Sequence, residues 1–384
     1  MNKKMNKIEN ITLGCDPEFF LKNINTEEFV SAVGLIGGTK EKPTDISPKG
    51  LTGYGVQEDN VAVEFNIPPA KTAEEMIGSI SYVMDWLKKN KLPGTLRADP
   101  SPSAEFNPKY LKSKQAQTFG CEPDINAWEC CENISPSANG NWRCAGGHIH
   151  IGYNNPNLDT SLQIIKAMDL FLGVPSVLYD QDKERKKMYG KAGACRFKNF
   201  GTEYRVLSNF WIFNDVLIEW AFNNTLCAIK FINDNKNFDK LIEKESELII
   251  NTINSQNKEE AEKLIKKYKI PVPDFNKGLR YKSVNADRFY KAMVMENEEN
   301  FAAADQGINI DEDRNRIRFV DVRQFEEVPQ NIIPDEVGEP VNDVQDLPAW
   351  DREIMQAMEI QQRDLLPQRR EIRIRGRNIG FRPV

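Results

Sequence analysis

No run of apolar residues in the sequence is long enough to cross a bilayer, which excludes a membrane-spanning helix. No signal-type apolar stretch follows Lys3, Lys4 and Lys7, so a cytoplasmic location without a membrane partner is expected. Cysteine is sparse and odd in number, seven in 384 residues, which argues against a disulfide framework. Cys121, Cys130, Cys131 and Cys144 are too irregularly spaced for a zinc ribbon. Arginine is scarce in the first part: residues 1–291 hold seven, against 32 lysines and 37 acids. Lysine is absent from the rest: in residues 292–384, 12 arginines face 20 acids. The two parts therefore carry +2 and −8, and the net charge of −6 conceals a break. No strongly basic patch emerges in the body, so nucleic acid is not its expected partner. We expect a folded domain at 11–295 and a lysine-free extension at 296–384.

What is present suits a soluble globular chain: 40% hydrophobic and 28% charged residues, with length for a large core. Residues 11–22 read as a strand, 28–36 as a second and 61–67 as a third, the last closed by Pro68 and Pro69. Residues 34–43 form a glycine-rich loop without the lysine spacing of a P-loop. Ala73, Met76, Ile77, Ile80, Val83, Met84 and Leu87 recur at helical spacing, with Thr72 and Glu75 placed as a capping box. Residues 144–153 and 198–208 read as strands, and 159–173, 212–233 and 239–268 as helices. No internal repeat occurs. This order predicts an α+β fold with an antiparallel sheet rather than regular βαβ alternation.

The chemistry concentrates in a few strand positions. The only histidines, His148 and His150, lie two apart in a strand and so face one side. Asp16 and Glu18 flank Pro17 at the same spacing, and Glu64 interrupts an apolar strand, where a charge is costly unless paired or metal-bound. Glu203 and Arg205 share a face as well. Any one of these alone reads as an ordinary solvated strand; four strands presenting acids or imidazoles do not. Arg143, Arg185, Arg196 and Arg205 cluster around these motifs in a body that otherwise uses lysine, which points to planar two-pronged contacts with phosphate or carboxylate. Surface ion pairs are the alternative. Together these are parts for phosphoryl transfer, with hard cations held by oxygen ligands.

The segments GCDPEFF, VAVEFNIPP, AGGHIHIGY and RFKNFGTEYRVLSNFW resemble the phage-encoded carboxylate–amine ligases of the COOH-NH2 ligase type. EFNPKYL and FGCEPDINAW resemble that family too, and the likeness spans roughly residues 11–235. The family belongs to the glutamine synthetase and glutamate–cysteine ligase superfamily. The resemblance implies a curved, mostly antiparallel active-site sheet flanked by helices. It implies an amide-forming ligase using ATP and Mg²⁺ or Mn²⁺, acting through an acyl phosphate on small-molecule or peptide carboxylates and amines. Asp16, Glu18, Glu64, His148 and Glu203 match metal-ligand positions. Glu58 matches a further one, with Asp59 as its alternative. His150, Arg185 and Lys40 match positions near ATP; Arg196 and Arg205, with Glu203, match the catalytic group. Glu122 or Asp124 is the expected base for the amine. Two competing readings are a ligase-like domain serving as a non-catalytic virion or assembly component, and a mononuclear H-x-H metal enzyme of cupin type.

The extension carries Leu347, Trp350, Ile354, Met358 and Leu365 at roughly helical spacing, then six arginines from Arg369 to Arg382 opposed only by Glu371. An arm docking on an acidic protein surface or nucleic acid is expected there, with an ordinary packed C-terminal helix as the alternative.

Overall fold

The computed structural model describes residues 7–117, 124–133, 140–180 and 183–275. The expected extension, including the amphipathic stretch and the arginine run, lies outside the described residues.

The first half of the chain supplies β1 (Thr12–Cys15), β2 (Glu18–Asn23), β3 (Phe29–Val30), β4 (Thr44–Asp45), β5 (Gly55–Asp59) and β6 (Ala62–Asn66). Helix α1 (Ala73–Asn90) follows, then β7 (Leu96–Asp99), β8 (Ser103–Glu105), β9 (Ile125–Asn126), β10 (Cys131–Glu132) and β11 (Trp142–Cys144). β12 (Ile149–Gly152), β13 (Ala194–Lys198) and β14 (Gly201–Tyr204) complete the strands. The longer later helices are α2 (Leu158–Met168), α3 (Lys183–Met188), α4 (Asp215–Asp234), α5 (Phe238–Ser255) and α6 (Lys258–Tyr268).

The strands form two main sheets. One runs β1-β12-β14-β13-β9-β10; the other runs β3-β2-β6-β5-β4, with β7 also pairing β2. Every pairing of these strands is antiparallel, as the order of elements predicts for an α+β fold. In the first sheet Leu13, Ile149, Ile151, Cys195 and Tyr204 turn into a core shared with α1, α2 and α4. The alternate residues include His150, Arg196, Lys198 and Glu203, so the sheet has an apolar face and a chemical face.

The expected strand at 11–22 is two strands in two different sheets. Pro17 has no N–H and cannot continue a ladder, so the chain leaves the first sheet after Cys15 and enters the second at Glu18. Local bonds fix the crossing: Glu18 N donates to Gly146 O at 2.8 Å, and Phe65 N donates to Pro17 O at 3.3 Å. The expected strand at 28–36 shrinks to β3, because the segment turns at Gly34, which has φ +80°.

Helix α1 starts where expected. Thr72 accepts from Glu75 N at 3.2 Å, while the Glu75 carboxylate accepts from Lys71 N rather than completing the box on Thr72. Met76, Ile77, Ile80, Val83 and Leu87 are all buried, each worth about 1.5–3 kcal/mol relative to exposure. The helix expected at 159–173 is α2 followed by a wide π turn at Asp169–Gly173. The segment 239–268 divides into α5 and α6 at Gln256, whose φ of +53° ends the first helix. Residues 198–208 contribute one arm of the β13–β14 hairpin instead of a single strand.

Candidate active site

On the first sheet, strand register builds the site. His150 stands opposite Glu203, and Glu203 opposite Arg196, so three charged or titratable groups form a row across β12, β14 and β13. Asp16, just past the end of β1, completes the row: its Oδ1 lies 3.2 Å from His150 Nε2 and 3.3 Å from His148 Nδ1. Asp16, His150 and Glu203 can each turn one ligand atom into a group within 4.8 Å. Glu203 has 0% exposure and is surrounded by cations. Arg205 Nη1 donates to its Oε1, Lys198 Nζ lies 3.0 Å from its Oε2, and Arg196 Nη1 lies 3.9 Å from Oε1.

The second sheet faces this row with a set of its own. Glu18 stands directly opposite Glu64, and Glu64 directly opposite Gln57. Like charges paired across strands repel, so this register is costly without a cation. Glu18, Asp59 and Glu64 bring ligand atoms within 4.8 Å of one another. Gln57 donates to Glu64 at 2.9 Å, and Gly146 N donates to Glu18 at 2.9 Å. Asp16, Glu18, Asp59 and Glu64 line one pocket. Lys40, His148, Arg196 and Arg205 complete its wall.

Four expectations change here. Glu58 does not join the pocket: strand alternation points it the other way, and Asp59 takes the place. The Glu58 carboxylate accepts the N–H groups of Gly34, Ile36 and Gly37 at 2.9, 3.1 and 2.8 Å, which holds the glycine-rich loop carrying Lys40. Arg185 is fully buried and donates to the carbonyls of Arg205, Val206 and Leu207 at 3.2, 2.9 and 3.0 Å. It props the chain after β14 and does not line the pocket. Glu18, Glu64, His148 and Glu203 do not form one ligand set; the donors divide into two sets, one per sheet. Asp124 lies 3.4 Å from Arg205 Nε and accepts from Asn133 at 2.7 Å, which makes it an anchor for that guanidinium. Glu122 lies outside the described residues.

Two residues are unanticipated. Lys198 does not stand out in a lysine-rich body, yet its two-residue spacing from Arg196 places both on the chemical face. Asp169, fully buried in the π turn, accepts from Trp128 Nε1 at 2.6 Å, Gly193 N at 2.7 Å and Tyr204 OH at 2.8 Å. Through Gly193 and Tyr204 it braces from behind the hairpin that carries Arg196 and Glu203. Burial raises its carboxyl to about 6 despite those donors.

The electrostatics follow from crowding. Burial, then Asp59, pushes Glu18 up to about 7. Burial, then Asp16 and Glu18, holds Glu64 well above the usual carboxylate range. Burial and then Asp16 raise Glu203, and burial raises Asp59. Burial also opposes ionisation of Asp16, but its close approach to His150 leads the interactions that outweigh burial and keep that carboxyl well below its ordinary value. Burial and then Arg205 push His148 down to about 3, so its ring stays neutral. Arg205 Nη1 lies 3.2 Å from His148 Nδ1, and a guanidinium can only donate. Nδ1 must then accept, which leaves its approach to Asp16 without a proton.

The donors fit hard divalent cations. One set offers three carboxylates with raised pKa values. In the other, Asp16 Oδ1, His150 Nε2 and Glu203 Oε2 are buried without a well-formed hydrogen bond. Only one of the two histidines joins this set, against the paired imidazoles of a cupin-type centre. Among the described residues, no helix is long and apolar enough to cross a membrane.

One comparison with known proteins finds the family that the motifs resemble. Residues 131–304 match the family model described as "Phage phiEco32-like COOH.NH2 ligase-type 2". The match includes AGGHIHIGY and RFKNFGTEYRVLSNFW but not GCDPEFF or VAVEFNIPP. A bifunctional glutathione synthetase from Pasteurella multocida is similar at 11% identity and a TM-score of 0.32, over 74% of this chain and 49% of that one. This chain thus spans about half the length of that protein. A search of curated proteins finds no match.

Proposed function

We propose that this protein is a carboxylate–amine ligase that uses ATP and Mg²⁺ or Mn²⁺, on an antiparallel sheet of glutamine-synthetase type. One observation carries the reading: two facing sheets bring Glu18, Asp59 and Glu64 of one ligand set, and Asp16 of the other, to a single pocket that Lys40, Arg196 and Arg205 also line. The family match to residues 131–304 supports amide formation as the outcome.

Divalent ions in these sets would neutralise the ATP phosphates and ease the approach of an anionic carboxylate. Glu18, Asp59 and Glu64 would hold one ion; Asp16, His150 and Glu203 would hold another. A carboxylate oxygen attacks the γ-phosphorus and ADP departs, leaving an acyl phosphate. The amine nitrogen then attacks the carbonyl carbon, phosphate leaves, and the nitrogen gives up a proton. Arg196 and Lys40 reach the pocket and stabilise negative charge on the transferring group. Arg205, fixed by Glu203 and Asp124, orients Glu203 and lines the pocket. The domain is drawn at 11–295, with 296–384 as a recruiting extension.

The test is phosphate release from ATP with pools of carboxylates and amines, followed by mass detection of the condensed product. Release that needs a carboxylate, an amine and a divalent cation together is expected. No release across broad pools, under conditions where the protein is folded, sinks the reading in favour of a non-catalytic assembly role.

A further inference from the structure

Three cations reach the solvent-free carboxylate of Glu203, and they differ in freedom. Arg205 is 1% exposed at its side chain and is also tied to Asp124 and His148. Arg196 is 13% exposed at its side chain and lies 3.9 Å away. Lys198, at the end of β13, is 34% exposed at its side chain yet turns inward to within 3.0 Å of Glu203 Oε2. A lysine with an open path to water ordinarily keeps its ammonium there. This one crosses into a buried site instead. Its target oxygen is the one 3.9 Å from His150 Nε2, and it lacks a well-formed hydrogen bond. Lys198 therefore sits against the set of donors assigned to a divalent cation above.

Resting on that assignment, we infer that Lys198 is a displaceable counter-ion. It neutralises Glu203 when no divalent cation is bound and withdraws to solvent when one arrives. Charge accounts for the exchange. A dication beside Glu203 faces Arg205 and Arg196 already, and a third monovalent cation adds repulsion. Of these three, Lys198 combines the greatest exposure with a flexible four-carbon stem, so it can leave at least cost. The exchange would also let the site fold before a cation binds: the ammonium satisfies part of a buried anion that would otherwise stand against the fold.

Competition makes a prediction with two opposite signs. In the full chain without nucleotide, Lys198→Met should bind Mn²⁺ about fivefold tighter than wild type, as for removal of a partly screened competitor. The same variant should melt at a lower temperature than wild type in a chelator, because Glu203 loses a partner. Mn²⁺ affinity is read by electron paramagnetic resonance of the free ion, so neither measurement depends on turnover. A lysine that merely supported the sheet would lower stability and weaken Mn²⁺ binding together. Lys198→Arg keeps the charge and should bind Mn²⁺ no tighter than wild type; Lys198→Gln serves if the methionine variant misfolds. Unchanged or weaker Mn²⁺ binding in the neutral variants overturns the counter-ion role while leaving the ligase reading intact. Absence of saturable Mn²⁺ binding in wild type overturns both.

Discussion

Replacing Glu64 with glutamine tests whether the second ligand set is electrostatically strained. Glu64 lies directly opposite Glu18 and shares its set with Asp59. A carboxyl whose pKa is raised on folding costs stability as pH rises from its ordinary value to the folded value, because the unfolded chain ionises first. For Glu18 that window runs from 4.5 to about 7, a shift equivalent to at most roughly 3 kcal/mol. Glu64 is raised well above 4.5, so its own cost grows across the same range and beyond. Glutamine is nearly the same shape and can still accept from Gln57, so Glu64→Gln removes charge and little else. In chelator at about pH 8, the variant should melt several degrees above wild type; for a domain of this size ~1 kcal/mol moves Tm by ~2–4 °C. At about pH 5 the difference should nearly vanish, since little of the linkage cost has accrued there. Mg²⁺ should raise the wild-type Tm by more than the variant's, which keeps only the Asp16, His150 and Glu203 set intact. Scanning calorimetry across pH, with chelator and with Mg²⁺, reads all of this. A variant that melts lower at the alkaline end, or that Mg²⁺ stabilises as strongly as wild type, refutes the reasoning.

Neighbouring acids on β5 should behave differently: Asp59→Asn should abolish cation-dependent phosphate release, whereas Glu58→Gln should chiefly speed amide exchange at Gly34, Ile36 and Gly37, seen by hydrogen exchange. Equal loss of turnover with no change in exchange would reverse their roles. Arg205→Lys should lower kcat by the equivalent of about 2–4 kcal/mol, because an ammonium cannot serve Glu203, Asp124 and His148 together. Near-normal kcat in that variant would reduce Arg205 to a simple charge. Truncation after Met295 should leave a soluble protein with its ATP-dependent ligation; precipitation or lost ligation would place the extension within the catalytic fold.

The chemical residues were legible in the sequence because strand periodicity puts alternate residues on one face. Spacing by two gathers His148 with His150 and Glu203 with Arg205, and the structure keeps each pair on one side. The same rule separates Glu58 from Asp59, but only once the phase of β5 is known, and QED offers acids in both phases. Arg185 misled for another reason. Its scarcity value pointed to phosphate, yet backbone carbonyls need the same fork of donors, and local sequence does not reveal which partner it meets. Lys198 was hidden by composition: in a lysine-rich body, a lysine that turns inward looks like all the others. The division of the ligands into two sets was invisible because it depends on which strand each half of DPE joins.

That three-residue step has a mechanical consequence. Asp16 and Glu18 serve different sheets but are separated by one residue, so their Cα atoms can never lie more than about 7 Å apart, whatever the sheets do. Pro17 stiffens even this short tether by fixing its own φ. The spacing between the two ligand sets is thus written into covalent geometry, like the pin of a hinge, while everything else around them is held only by packing. Sliding of one sheet against the other would turn the sets about Pro17 rather than part them. One inserted residue at this point would do what no surface mutation could: unlink the two halves of the pocket while leaving every side chain in place.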